Sequence, residues 1–209
     1  MEEKIAILIA DLSGYTALTE THGPVTAADM IDTFLKIVQD SLVGGCKLHQ
    51  RVGDEVMIVS TSADELVCTA ILLLQNCSKE HHFLQLHGGL HIGSLLKRND
   101  HYFGSPLNLT SRIANKANKG TFWCSRDFVN ELSKGSEYTF SAKGKHTFKN
   151  VAEEIEVFEL MVQNMNCYID PVCRMVIYKK EKAVPHPSEK NIFFCSDDCL
   201  YIYMNTLPK

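Results

Sequence analysis

Six consecutive apolar residues, Ile5-Ala-Ile-Leu-Ile-Ala10, run into a single aspartate, Asp11, at the head of the polar turn Leu12-Ser-Gly-Tyr-Thr16. A run this short cannot cross a bilayer, but it suits a strand buried on both faces. The strand delivers one carboxylate to a tight turn whose Gly14 lets backbone N–H groups approach an anion closely. Asp11 is then either a cap for the helix that follows or a ligand where metal and phosphate meet.

A second stretch favours the metal. In Arg51-Val-Gly-Asp-Glu-Val-Met-Ile-Val-Ser60, Gly53 and Asp54 form a two-residue turn before an apolar run of strand type. The pattern is a hairpin with a carboxylate at its tip. Asp11 and Asp54 together offer hard oxygen ligands for a pair of divalent ions beside a phosphate-holding backbone.

Between and beyond these stretches the periodicity alternates. Thr26 and Asp29 read as a capping box opening a helix of about 16 residues, with Ala27, Met30, Ile31, Phe34, Leu35 and Val38 on its apolar face. Gly44 and Gly45 end it. Ser62 and Glu65 form a second capping box, before Leu66, Val67, Ala70, Ile71, Leu73 and Leu74. Leu84, Leu86, Leu90 and Ile92 alternate with polar or small residues as in a half-buried strand. His87 and His91 share a face of that strand but stand about 13 Å apart, too far to bind one metal.

Residues 94–101 read as a hairpin loop, and Leu107 to Asn118 as a helix with Asn108 and Arg112 one turn apart on one face. Small Thr110, Ser111, Ala114 and Ala117 let that helix pack closely, with its polar pair toward a cleft. Strand and helix signals follow at 121–124, 126–132, 138–142 and 155–160. Lys143-Gly-Lys-His-Thr-Phe-Lys149 reads as a basic hairpin, either a solvated turn or a phosphate grip through Lys149. The order β-α-β-β-α-β suits an α+β, ferredoxin-like sandwich: a mainly antiparallel sheet with helices packed on one face.

The 209 residues allow one full-sized domain, 1–163, and a small appendage, 164–209. A net charge of −4 without a long Lys/Arg stripe argues against nucleic-acid binding. No stretch reaches the ~18 apolar residues of a membrane span, and the acidic start Met-Glu-Glu-Lys is unlike a secretory leader. The chain reads as cytoplasmic, with no membrane partner.

Of eight cysteines, Cys46, Cys68, Cys77 and Cys124 sit among apolar neighbours as buried thiols do. The other four crowd the last 43 residues. Cys195 and Cys199 are four apart, and Ser196 can cap a helix starting between them, so both thiols can meet at one centre that Cys173 reaches from another arm. Three thiolates and one further ligand suit Zn²⁺ or Cu(I). Cys167 or Asp170, or more weakly His186, would complete the set.

Asp11 in D-L-S-G-Y-T, Asp54 in V-G-D-E, and F-G-S-P-L-N-L-T-S-R from Phe103 to Arg112 together resemble the catalytic domain of class III nucleotidyl cyclases, over roughly residues 4–161. The resemblance implies conversion of ATP or GTP to the 3′,5′-cyclic nucleotide and pyrophosphate. It implies two Mg²⁺ or Mn²⁺ ions held by Asp11 and Asp54 with Leu12 alongside, Gly14 and Lys149 on phosphates, Asn108 orienting the ribose and Arg112 neutralising the α-phosphate. It also implies a head-to-tail homodimer in which one copy supplies the metal residues and the other Asn108 and Arg112.

Gln50 and His101, three residues before Gly53 and Gly104, stand at the base-reading positions, where neither fixes adenine over guanine. The spacing from Gly45 to Gly53 is about one residue longer than usual. The tail resembles a YHS or TRASH-type metal-binding module through D-P-V-C…F-C-S-x-x-C. The implied functions are a cyclase with a metal-binding tail, structural or sensing, a catalytically silent nucleotide- or metal-sensing homologue, or a metal-handling protein that uses the front domain to dimerise.

Overall fold

The computed structural model describes residues 2–80, 82–162, 168–172, 176–177 and 183–206. Strand β1 (Glu2–Ser13) lies inside a sheet between β3 (Glu55–Ser60) and β4 (Gln85–Arg98), antiparallel to both. Its alternation feeds two cores. Ala6, Leu8, Ala10 and Leu12 pack on one side, and Ile5, Ile7 and Ile9 on the other. All seven are buried, so an Ile or Leu here cut to Ala would cost roughly 2–5 kcal/mol.

The full sheet adds β2 (Lys47–Val52), β6 (Phe122–Ser125), β7 (Thr139–His146) and β8 (Ile155–Met161) in the order β2-β3-β1-β4-β6-β8-β7. Short β5 (His101–Phe103) pairs with the end of β4, and only β4 and β6 run parallel. The architecture is α+β with a mixed, mainly antiparallel sheet. Helices α1 (Tyr15–Ser41) and α2 (Ala63–Lys79) cover the Ala6–Leu8 side.

Helices were expected on one face, but α3 (Ser105–Lys116) crosses the other. Gly89 makes this possible. A Cβ there would lie 2.5 Å from Ala114 N and 2.6 Å from Thr110 O, so only glycine lets α3 seat on β4.

Local signals explain most element ends. Ser62 Oγ accepts from Glu65 N, as its capping box requires. The Glu65 carboxylate does not close that box; it reaches Gly45 N at 2.9 Å and Ser60 Oγ at 3.1 Å, tying the turn after α1 to α2. Ser125 likewise caps α4 (Arg126–Glu131) through Phe128 N.

The start of α1 corrects the sequence. Thr26 is not a cap: its hydroxyl donates back to His22 O, and helix extends to Tyr15. Gly23 breaks the helix with φ 82°, ψ 171°, and Pro24 restarts it, needing no amide partner at a first-turn position. The expected helix is therefore the second of two merged segments, and it ends at Ser41, before Gly44 and Gly45. Two loops shorten as well. Residues 94–98 continue β4, leaving Asn99 and Asp100 as the turn, and Lys143 to His146 belong to β7. Lys143 Nζ is paired with Glu159 at 2.7 Å, so it is not a free phosphate grip.

The tail forms two small strand pairs, β9 (Tyr168–Ile169) with β10 (Val176–Ile177) and β11 (Val184–Pro185) with β12 (Phe193–Phe194), then α5 (Asp197–Thr206). Phe194 and Asp170 are fully buried within it.

Candidate active site

Asp11 stands on β1 just past the end of its pairing with β3, still paired with His87 of β4, and Asp54 tips the β2–β3 hairpin, whose Val52 faces Glu55 and whose Gly53 takes φ 62°. The two carboxyl groups line one cavity, close enough for the Asp54 charge to act on Asp11. Burial first, then the Asp54 charge and its hydrogen bond, push the Asp11 carboxyl up to about 7; Leu12 N–H, donating to it, opposes the rise. Glu55 is raised by burial and by Asp54. Asp11 Oδ1 is buried with no partner among the described residues.

Crowded acids with an orphaned oxygen are what a divalent cation relieves, and this donor set fits Mg²⁺ or Mn²⁺. The Leu12 side chain belongs to the core, so only its main chain serves the site.

A cavity of about 400 Å³ opens here, lined by Asp11, the turn from Leu12 to Thr16, Asp54, His87, Ala117 and Lys119. Gly14 sits at its wall with φ 95° as the residue preceding α1, consistent with a close-approach turn. Lys119 is an addition that the sequence did not single out, and His87, weighed there only as a partner of His91, lines the site on its own. His87 faces Asp11 across the β1–β4 ladder, and its Nδ1 is 2.9 Å from Ser13 Oγ. Alternation put His87 on a face; only strand pairing put it beside a carboxylate.

A second cavity, about 300 Å³, lies against α3 and shares no lining residue with the first. Asn108 and Arg112 both reach it, as one helical turn requires, with His91, Ser105 and Asn150 around them. Among the described residues Arg112 makes no ion pair, leaving its charge available to an anion. His91 Nδ1 is 2.7 Å from Ser125 Oγ, so the two strand histidines serve different partners.

The family described as "Adenylate and Guanylate cyclase catalytic domain" matches residues 1–169. The chain belongs to this cyclase family. An uncharacterised protein of Mycobacterium tuberculosis is 33% identical over 152 residues, 72% of this chain and 39% of its own. An adenylate cyclase of Glutamicibacter nicotianae is 28% identical over 139 residues, 66% of this chain and 34% of its own. The chain thus spans about two fifths or less of these relatives. A solved adenylate cyclase of Trypanosoma brucei superposes with TM-score 0.70 at 18% identity, covering 76% of this chain and 88% of that one, a likeness of fold.

Within this cyclase domain, Gln50 is exposed on β2 and His101 exposed on β5. Lys149 is exposed in the turn after β7, beside Asn150 of the second cavity but not lining it. Cys46, Cys68, Cys77 and Cys124 are buried, as their apolar neighbours implied. No helix among the described residues is long and apolar enough to cross a membrane.

In the tail, Cys195 and Cys199 Sγ are 3.7 Å apart, and Ser196 Oγ accepts from Cys199 N at 3.3 Å. One Asp170 carboxylate oxygen joins them within 4.8 Å. Its two oxygens accept from Val172 N and Cys195 N, so Asp170 also clamps the loop that presents the thiols. His186 Nδ1 is instead turned to Ser188 N and Glu189 N. Cys167 and Cys173 lie outside the described residues.

Proposed function

We propose that this chain is a class III nucleotidyl cyclase acting on ATP or GTP at a site shared by two head-to-tail copies. One observation carries the reading. Two cavities of opposite chemistry, one acidic and one bearing an unpaired guanidinium, lie on a single protomer with no lining residue in common. The carboxylate pair lies at one and the Asn108–Arg112 pair at the other, so a partner copy that brings them together completes two equivalent sites.

In the reaction the ribose 3′-hydroxyl oxygen bonds to the α-phosphorus, the bond from that phosphorus to the β-bridging oxygen breaks, and pyrophosphate leaves with the electron pair while the hydroxyl proton passes to solvent. Asp11 and Asp54 would hold two Mg²⁺ or Mn²⁺ ions, which when bound supply charge neutralisation and polarise the reacting oxygens. Gly14 and the turn around it present backbone N–H groups to the phosphates. Arg112 meets the charge that builds on the α-phosphate, and Asn108 orients the ribose. Lys149, free to swing, contacts the terminal phosphates.

A preorganised donor of the Arg112 kind is worth roughly 10²–10³ in turnover. The test is turnover of ATP and of GTP separately, with Mn²⁺ and then Mg²⁺, reading cyclic nucleotide and pyrophosphate together. No product from either, alongside nucleotide binding that needs Asp11, would make the chain a silent regulatory homologue.

For the tail we infer a YHS/TRASH-like thiolate metal site, Zn²⁺ or Cu(I), on Cys195, Cys199 and Cys173. The thiol separation of 3.7 Å supports it. Two sulfurs bound to one tetrahedral zinc stand about 3.8 Å apart, whereas a disulfide holds them near 2 Å. Zinc content of the purified chain, lost in Cys195→Ser with Cys199→Ser, tests this. Full metal retention in the double variant would refute it.

A further inference from the structure

The β2–β3 ladder carries one irregularity. Leu48 faces Ile58 and Gln50 faces Met57, so His49 is an extra residue on β2 with no partner position of its own, a bulge. Lys47 and Gln50 pair with Val59 and Met57, whose side chains belong to the α3 side of the sheet, while Leu48 pairs with Ile58 on the other side. The bulge therefore turns two consecutive side chains, His49 and Gln50, to the α3 side. A regular strand would show only one.

His49 packs there against β5. Its ring centroid is 4.9 Å from that of Tyr102 and 6.4 Å from that of His101, edge-on to the latter at 84°. Burial, then the His101 and Lys97 charges, holds the His49 pKa below its ordinary value and favours the neutral ring. The cluster thus offers amide and imidazole edges able to donate and to accept.

Adenine presents an amino donor beside ring acceptors, which such neutral groups match; Gln with adenine is a standard bidentate pair. Guanine presents two adjacent donors at N1 and N2, which call for a carboxylate. Asp100, the acid whose charge acts on His49, is 99% exposed at its side chain and sits 3.9 Å from Lys97 Nζ.

We propose that His49, turned out by the bulge, is a third base-contacting residue beside Gln50 and His101, and that it biases the site toward adenine. This rests on the reading of the chain as a nucleotide cyclase.

The test is binding of fluorescent ATP and GTP analogues to the full chain with Mn²⁺, and kcat/KM for each nucleotide. The wild type should favour ATP. His49→Ala should weaken ATP about tenfold through KM rather than kcat, the size of one lost hydrogen bond, with GTP changed less. His49→Gln, which keeps a donor and an acceptor, should retain most of the preference. Deletion of His49 restores a regular ladder and should lose the preference at an unchanged melting temperature.

A GTP preference in the wild type, or an ATP/GTP ratio unmoved in His49→Ala, overturns the proposal; if the deletion does not fold, His49→Ala decides. A wild type that binds neither nucleotide sinks the cyclase reading, and this with it. ATP binding without turnover sinks the enzyme alone and leaves His49 readable from the binding measurements.

Discussion

The cavity at Asp11 and the cavity at Arg112 flank the same sheet and differ in their charged groups: a carboxylate pair with Lys119 at the rim of the first, a guanidinium in the second. The first gathers acids in partial burial until Asp11 holds its proton to about 7. The second rests on one helix, and its Arg112 has no counter-charge among the described residues. A cation would relieve the first and an anion would pair with the second. On the proposed reading a nucleoside triphosphate with divalent ions supplies both, and no single cavity of one protomer holds both residue sets.

The largest test removes the acidic half. Asp54→Ala should abolish metal-dependent turnover while circular dichroism and melting temperature show an intact fold, because Asp54 tips a turn and supports no core. Full activity would erase the contrast between the cavities. Next comes the other half: Arg112→Ala should lower kcat by roughly 10²–10³-fold with KM moved much less, measured at saturating nucleotide.

Mixing Asp11→Ala chains with Arg112→Ala chains sharpens the comparison. Random mixed dimers carry one intact site, so activity should recover to roughly a quarter of wild type. No recovery with proven mixed dimers would mean that the cavities do not serve one shared site.

A smaller effect follows from the Asp11 proton. Its folded pKa of about 7 lies above the ordinary 3.8, so the folded state binds the proton more tightly. That contribution to stability is full below about 4 and is lost as pH rises to about 7. Metal-free melting temperature should therefore decline across this window, Asp11→Asn should flatten the decline, and Mn²⁺ added at pH 6 should release a proton detectable by calorimetry in two buffers. The smallest effect concerns neither cavity directly: Ser62→Ala removes the α2 cap and should cost about 1 kcal/mol in urea unfolding with kinetics unchanged.

Much of this was legible before any coordinates. The double-sided apolar run predicts β1, the Gly53-Asp54 pair predicts the hairpin, and i to i+4 spacing puts Asn108 and Arg112 into one cavity. Each is a local rule of period or turn. The failures share a different cause. Thr26 looked like a cap because the sequence cannot say that Pro24 would resume a helix already begun at Tyr15. The basic stretch from Lys143 read as one hairpin because the partner of Lys143, Glu159, is distant in sequence and adjacent only through the β7–β8 pairing. Lys119 went unnoticed, and His87 was not placed beside Asp11, for the same reason.

The sequence by itself determined most of the elements of the large sheet and both candidate ligand sets, since hydrophobic period, glycine turns and side-chain chemistry are properties of short stretches. An overlong Gly45–Gly53 segment was visible as well, but not what became of it. Only the tertiary structure decided that the surplus residue is His49, pushed out as a bulge against Tyr102 and His101, that α3 crosses to the far face through Gly89, and that burial raises Asp11. Ladder register, close packing and desolvation arise only when distant segments meet, and no local stretch encodes them alone.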